Sequence, residues 1–150
     1  MRYAGVVQML LLTLFCNIPV ARASDADVIR KFGILGRQAV NCSAPYSADN
    51  PHMVYAVSAR GQITRALQMK PELDGTFAMR SLRMAGPDLM QYEETGRTSD
   101  LTISVAKVAG KFRAWRSVRS TGPEKGKVLI ADGKFVSSGN PTPGFEPCKK

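Results

Sequence analysis

Residue pairs suited to tight turns recur along this chain between short runs of strand-forming residues: Asp74-Gly75, Ala109-Gly110 and Asp132-Gly133. A two-residue connection needs positive φ, which glycine adopts without steric cost, and it makes the flanking runs antiparallel neighbours. Arg60-Gly61, Ala85-Gly86-Pro87-Asp88 and Thr121-Gly122-Pro123 supply further turns, so the punctuation falls every 8 to 12 residues or so. This rhythm excludes long helices after residue 36. It predicts an all-β fold, an antiparallel meander of eight to nine strands near 37–43, 53–59, 62–69, 76–84, 88–95, 100–109, 111–118, 127–131 and 134–137.

One short helix precedes the meander. Ser24 is a capping residue, Asp25 and Asp27 suit the positive helix end, Arg30 and Lys31 the negative end, and Gly33 supplies a stop. At the other end, the stretch from Ser137 to Pro147 carries Gly139, Pro141, Pro143, Gly144 and Pro147. Prolines cannot donate to a sheet ladder, so this tail reads as a strap rather than a central strand. Cys42, on the first strand run, and Cys148, third from the end, are expected to form a disulfide that leads the strap back to the first strand. Closing so long a loop stabilises a fold by about 4 to 5 kcal/mol in the chain-entropy account. A meander whose last segment is tied to its first strand closes into a barrel or near-barrel, because closure removes exposed edges.

In this order of parts the chain resembles the lipocalin-like up-and-down β-barrels and small exported bacterial proteins. The resemblance rests on the leading helix, the glycine-led first strand at Gly36, the hairpin meander and the late Cys148. Where such barrels open with Gly-x-Trp and plug the barrel floor with the tryptophan, this chain has Gly36-Arg37-Gln38.

Arg2, the apolar run from Val6 to Phe15 and the small-x-small Ala21-Arg22-Ala23 together form the pattern of a signal peptide spanning residues 1–23. The run is shorter than the ~20 residues a membrane-spanning helix needs. Cys16 follows Phe15, whereas a lipid-anchor site takes a small residue there. The expectation is a periplasmic or secreted single domain, residues 24–150, and an oxidising compartment agrees with the disulfide. Loss of Arg2 and Arg22 lowers the basic count from 21 to 19 against 12 acidic residues, a net charge of +7.

Side-chain faces follow from the turns. A two-residue turn at Ala109-Gly110 sets Leu101, Ile103 and Val105 opposite Val118, Arg116 and Ala114, an apolar face beside Phe112 that holds Arg116. The opposite face then carries Lys111, Arg113, Ser117 and the single tryptophan, Trp115, with Arg119 facing Asp100. The same treatment of Asp74-Gly75 places Leu67 against Leu82, Met69 against Arg80 and Arg65 against Met84, and a four-residue turn at 85–88 brings Arg80 opposite Glu93. A buried arginine needs a partner. Arg65, Arg80 and Arg116 therefore read either as the cationic wall of a cavity for a small amphipathic acid, or as structural residues paired with Glu93, Glu94 or backbone carbonyls.

Chemistry-bearing motifs are few. His52 is the lone histidine and is expected in a solvated loop before a strand, which supplies neither a catalytic triad nor a multi-histidine metal site. Glu93 and Glu94 are adjacent and point to opposite faces of a strand. The expectation is a non-enzymatic, monomeric binding protein without cofactor or metal. Its candidate ligand residues are Arg65, Arg80 and Arg116 inside, and Arg113 and Trp115 on a basic strip that suits anionic lipid or acidic polysaccharide of the cell envelope. Export argues against nucleic acid. The alternative is an envelope inhibitor or chaperone-like protein that docks onto another protein.

Overall fold

The computed structural model of the protein describes residues 23–149; the expected signal peptide lies outside them except for Ala23. Helix α1 (Asp25–Phe32) has a capping box in which the Ser24 hydroxyl oxygen accepts from the Asp27 N–H and the Asp27 carboxylate accepts from the Ser24 N–H. Gly33, at φ 79°, ends it. Ten strands follow: β1 (Gly36–Ala39), β2 (His52–Val57), β3 (Ile63–Gln68), β4 (Gly75–Gly86), β5 (Leu89–Glu94), β6 (Leu101–Val108), β7 (Lys111–Arg119), β8 (Val128–Ala131), β9 (Lys134–Phe135) and β10 (Gly144–Pro147).

Strands β1 to β7 pair consecutively and antiparallel, and β10 joins the ends of that sheet. Gly144 and Phe145 pair with Arg113 and Phe112 of β7, while Glu146 and Pro147 pair with Ala39 and Gln38 of β1. The result is a closed eight-stranded barrel. The tail predicted to be a strap thus contains the closing strand. The ladder tolerates Pro147 because it is the last residue of a four-residue strand. The Cys42–Cys148 disulfide, with Cα atoms 5.3 Å apart, fastens this seam just beyond the paired residues.

Strand β7 divides its edge between two partners. Its first half pairs with β10, whereas Ser117 and Val118 pair with Ile130 and Val128 of β8. The β8–β9 hairpin therefore stands outside the ring, beside the end of β7. Asp132 and Gly133 both have positive φ, as do Ala109 and Gly110, which is the condition for type I′ hairpin turns.

The face assignments change wherever a bulge enters. The Ala109-Gly110 register holds from Val108–Lys111 to Val105–Ala114, and then Ser104 faces Arg116, so Trp115 is the extra residue. One inserted residue reverses the alternation beyond it. Ser117 consequently points inward opposite Ile103, and Arg116 is exposed rather than in the core. Asp74-Gly75 is not a two-residue turn either. The Asp74 side chain accepts hydrogen bonds from the Met69 and Lys70 N–H groups at 2.6 and 2.9 Å and shapes a six-residue loop, which pairs Arg65 with Phe77 and Leu67 with Gly75. In β4 an extra residue between Arg80 and Arg83, where Ser81 has φ 56°, puts Arg80 on the outer surface.

The core is the barrel interior. Val28, Ile29 and Phe32 of α1 cover one end of it, with the Phe32 ring 5.5 Å from that of Phe112. The Leu82 N–H donates to the Asp25 carboxylate at 3.1 Å and holds the helix against β4.

Candidate functional site

A cavity of about 540 Å³ lies between the barrel interior and the β8–β9 hairpin, within the 300–1,000 Å³ range typical of small-molecule pockets. Alternation along each strand makes its wall. Tyr55 of β2, Tyr92 of β5, Leu101, Ile103 and Val105 of β6, Phe112 and Ala114 of β7 and Phe145 of β10 all turn toward the same space. Ile34 and Gln38 line it near the end covered by α1. At the other side Val128, Leu129 and Ile130 of β8 and Phe135 of β9 complete it. Lys127, Phe135, Val136 and Ser137 are the lining residues that reach solvent, so the cavity opens beside the β8–β9 hairpin.

Arg65 is the one of the three interior arginine candidates that the fold turns inward. Its guanidinium is bidentate on Glu94, Nε to Oε2 and Nη2 to Oε1, both at 2.7 Å, with side-chain exposures of 11% and 1%. Burial alone would lower the Arg65 pKa, and the hydrogen bonds and charge of Glu94, with help from Tyr92 and Tyr55, hold it above the ordinary arginine value. The Phe77 ring packs 5.1 Å from the guanidinium carbon. Of the readings open for the arginines, Arg65 follows the paired, structural one. The same burial pushes the hydroxyls of Tyr55 and Tyr92 above the usual tyrosine range.

Arg80 and Arg116 leave the interior. Arg80 does stand opposite Glu93, as the sequence indicates, but in solvent, where it bridges Glu93 at 3.1 Å and Asp100 at 2.7 Å. Arg119 is not paired with Asp100. It meets Glu124 at 3.2 Å and donates to the Ser99 hydroxyl. Arg116 has no ion-pair partner among the described residues.

Arg113 lines the cavity and donates to the Thr142 carbonyl oxygen, bracing β7 against the tail. Trp115 is half-buried rather than open to water: the Asp132-Gly133 turn packs on its indole, where a Cβ on Gly133 would lie 3.2 Å from the ring, and the Gly133 N–H donates to the Trp115 carbonyl oxygen. His52 is also not a solvated loop residue. It begins β2, is buried, and its Nε2 lies 3.2 Å from the Asn50 side-chain nitrogen. That same nitrogen donates to the carbonyl oxygens of Asn41, Ala44 and Pro45, so Asn50 and His52 together order the loop around Cys42. Glu93 and Glu94 do face opposite ways, one exposed and one buried.

Gln38 is a polar cavity residue to which the sequence patterning gave no role, as it gave none to Tyr55, Tyr92 or Lys127. It is 1% exposed, and its Nε2 donates to the Ile34 carbonyl oxygen at 2.9 Å. The signal was present in Gly36-Arg37-Gln38, a glutamine two residues after the strand-opening glycine, but only closure of the barrel reveals that it points inward.

Among the described residues no helix is long and apolar enough to cross a membrane, and no cluster of three or more His, Cys, Asp or Glu side chains could hold a metal. No family model, curated protein or solved structure gives a significant match to the chain.

Proposed function

We propose that the protein is an exported, non-enzymatic carrier or sensor of a small amphipathic anion, held as lipocalin-like barrels hold ligands. The apolar body of the ligand occupies the cavity, and its acidic head stays at the mouth. The observation that carries this reading is the cavity itself, about 540 Å³ with a mostly aliphatic and aromatic wall. A pocket of this size with a mostly apolar wall and a few polar groups is of the kind that buries most of a small ligand's surface.

The position of the head follows from charge. Arg65 is already neutralised by Glu94 and offers no free cation to a carboxylate. Lys127 and Arg113 are the other cationic lining residues; Lys127 is exposed at the mouth, paired with Glu124 at 2.6 Å. An exposed ion pair is weak and exchanges readily, so Lys127 can turn to a ligand carboxylate. An outer-surface site for acidic envelope material has less support, because Arg113 and Trp115 are both partly occupied by the tail and the β8–β9 hairpin.

Native mass spectrometry of protein taken from its own host tests the proposal. A retained mass of lipid size, released on unfolding, supports it. A protein that comes off bare, and that takes up no medium-chain fatty acid when titrated calorimetrically, excludes it.

A further inference from the structure

Phe135 and Val136 face water although both are large and apolar: they are 38% and 58% exposed, and among the described residues they are the two exposed large hydrophobics that adjoin in the chain. An ordered backbone holds them there. The Phe135 N–H donates to the Asn140 carbonyl oxygen at 2.9 Å, the Val136 N–H to that of Leu129 at 3.0 Å and the Gly139 N–H to that of Phe135 at 2.8 Å. Both residues also line the cavity where it reaches solvent, beside Ser137 and Lys127. Cations surround them. Between Lys125 and Ser137 three exposed lysines, Lys125, Lys127 and Lys134, stand against one acid, Asp132. Lys134 adjoins Phe135, and the bond from Val136 to Leu129 keeps Val136 beside β8, near Lys127. Glu124 is shared between Lys127 and Arg119, while Lys125 and Lys134 have no ion-pair partner among the described residues.

From this arrangement we infer that the cavity mouth docks on an anionic membrane surface, with Phe135 and Val136 entering the headgroup layer and Lys125, Lys127 and Lys134 meeting lipid phosphates. Size and charge decide between occupants. Two partly exposed side chains fall far short of the roughly 800 Å² per partner that a standard protein interface buries, and the lysines of two copies would repel each other. Shallow insertion into lipid needs less, because apolar contact and attraction to anionic headgroups add together. Each basic residue near such a surface strengthens binding about fivefold. The surface is distinct from the strip of Arg113 and Trp115, which the tail and the hairpin turn partly cover. Docking in this orientation sets the cavity mouth against the bilayer, so that an apolar ligand passes between cavity and lipid without crossing water. The inference goes beyond the carrier reading and stands on the exposed mouth alone.

The test is co-sedimentation of the mature, disulfide-bonded protein with vesicles of phosphatidylcholine alone and of phosphatidylcholine mixed equally with phosphatidylglycerol. The mixed vesicles should bind roughly tenfold tighter or more, and high salt should release the protein. Val136→Ser and Lys134→Gln should each weaken binding about threefold to fivefold. Val108→Ser is the control, since Val108 is also exposed and lies between Lys107 and Lys111 at the end covered by α1; it should leave binding unchanged. Without any variant, hydrogen exchange on the wild type should slow at residues 134–138 when mixed vesicles are added, and not at the Ala109-Gly110 turn. Absence of binding, binding indifferent to lipid charge, or equal losses in Val136→Ser and Val108→Ser overturns the inference. So does self-association that Val136→Ser abolishes, which would assign the patch to a second copy. Each of these outcomes leaves the carrier reading standing.

Discussion

Arg65 and Glu94 meet inside the barrel through two parallel hydrogen bonds, each 2.7 Å, that join β3 to the end of β5 across β4. This bidentate fork is the strongest geometry available to the two groups, and desolvation makes it asymmetric in its consequences: the pair costs little when whole and much when one partner is removed. We predict that Arg65→Ala and Glu94→Gln each lose about 3 to 5 kcal/mol in urea unfolding, whereas the double variant Arg65→Met with Glu94→Leu loses much less than their sum. Additive losses would mean that the two side chains do not form one buried unit.

Arg116 provides the contrast. The bulge at Trp115 turns it to solvent opposite Ser104, so Arg116→Ala should cost under about 0.5 kcal/mol. A loss comparable to that of Arg65→Ala would show that the bulge is absent and the uninterrupted hairpin register correct.

Trp115 should report on the β8–β9 hairpin that flanks the cavity mouth. As the single tryptophan, half-covered by the Asp132-Gly133 turn, it is expected to emit at a wavelength between those of buried and free indole. Gly133→Ala places a methyl 3.2 Å from the ring at a residue with φ 70°; strain and overpacking together should destabilise by about 1 to 3 kcal/mol. Emission and iodide quenching of wild type and variant decide it: an unchanged spectrum would separate Trp115 from the turn.

Alkali should act through the buried tyrosines. Burial raises the folded-state pKa of Tyr55 and Tyr92 above the ordinary value of 10.0. Above that value the unfolded chain has released protons that the folded chain still holds, so stability falls as pH rises. Below pH 10 this contribution is level; above it each tyrosine removes up to about 1.4 kcal/mol per pH unit until its folded pKa is reached. Urea midpoints measured from pH 8 to 11.5 should show the decline, and Tyr55→Phe and Tyr92→Phe should each reduce its slope. A midpoint independent of pH, or a slope untouched by either variant, counts against burial of these hydroxyls.

The disulfide holds the barrel closed at β10. Cys42 and Cys148 are separated by 106 residues, and on the chain-entropy account their bond contributes about 4 to 5 kcal/mol. Reduction should lower the urea midpoint and speed hydrogen exchange first at Phe145 and Glu146, the residues paired across the seam. Exchange that accelerates uniformly instead would show that β10 does not open by itself.

The sequence by itself determined the elements and their neighbours. Ser24 with Asp27 and Gly33 bounded the helix, Ala109-Gly110 and Asp132-Gly133 made type I′ hairpins, and the nine expected strand positions all hold strands, because caps and tight turns depend on a few contiguous residues. The inward faces were decided by the tertiary structure. A strand's side chains alternate with period two, so the single extra residues at Trp115 and near Ser81, together with the six-residue loop ordered by Asp74, sent Arg116 and Arg80 outward and Ser117 inward. No local signal marks such insertions; they depend on how each strand bends to meet its neighbours around a closed ring. For the same reason the tenth strand and the union of Arg65 with Glu94 became visible only when the last residues of the chain closed the barrel against the first strand.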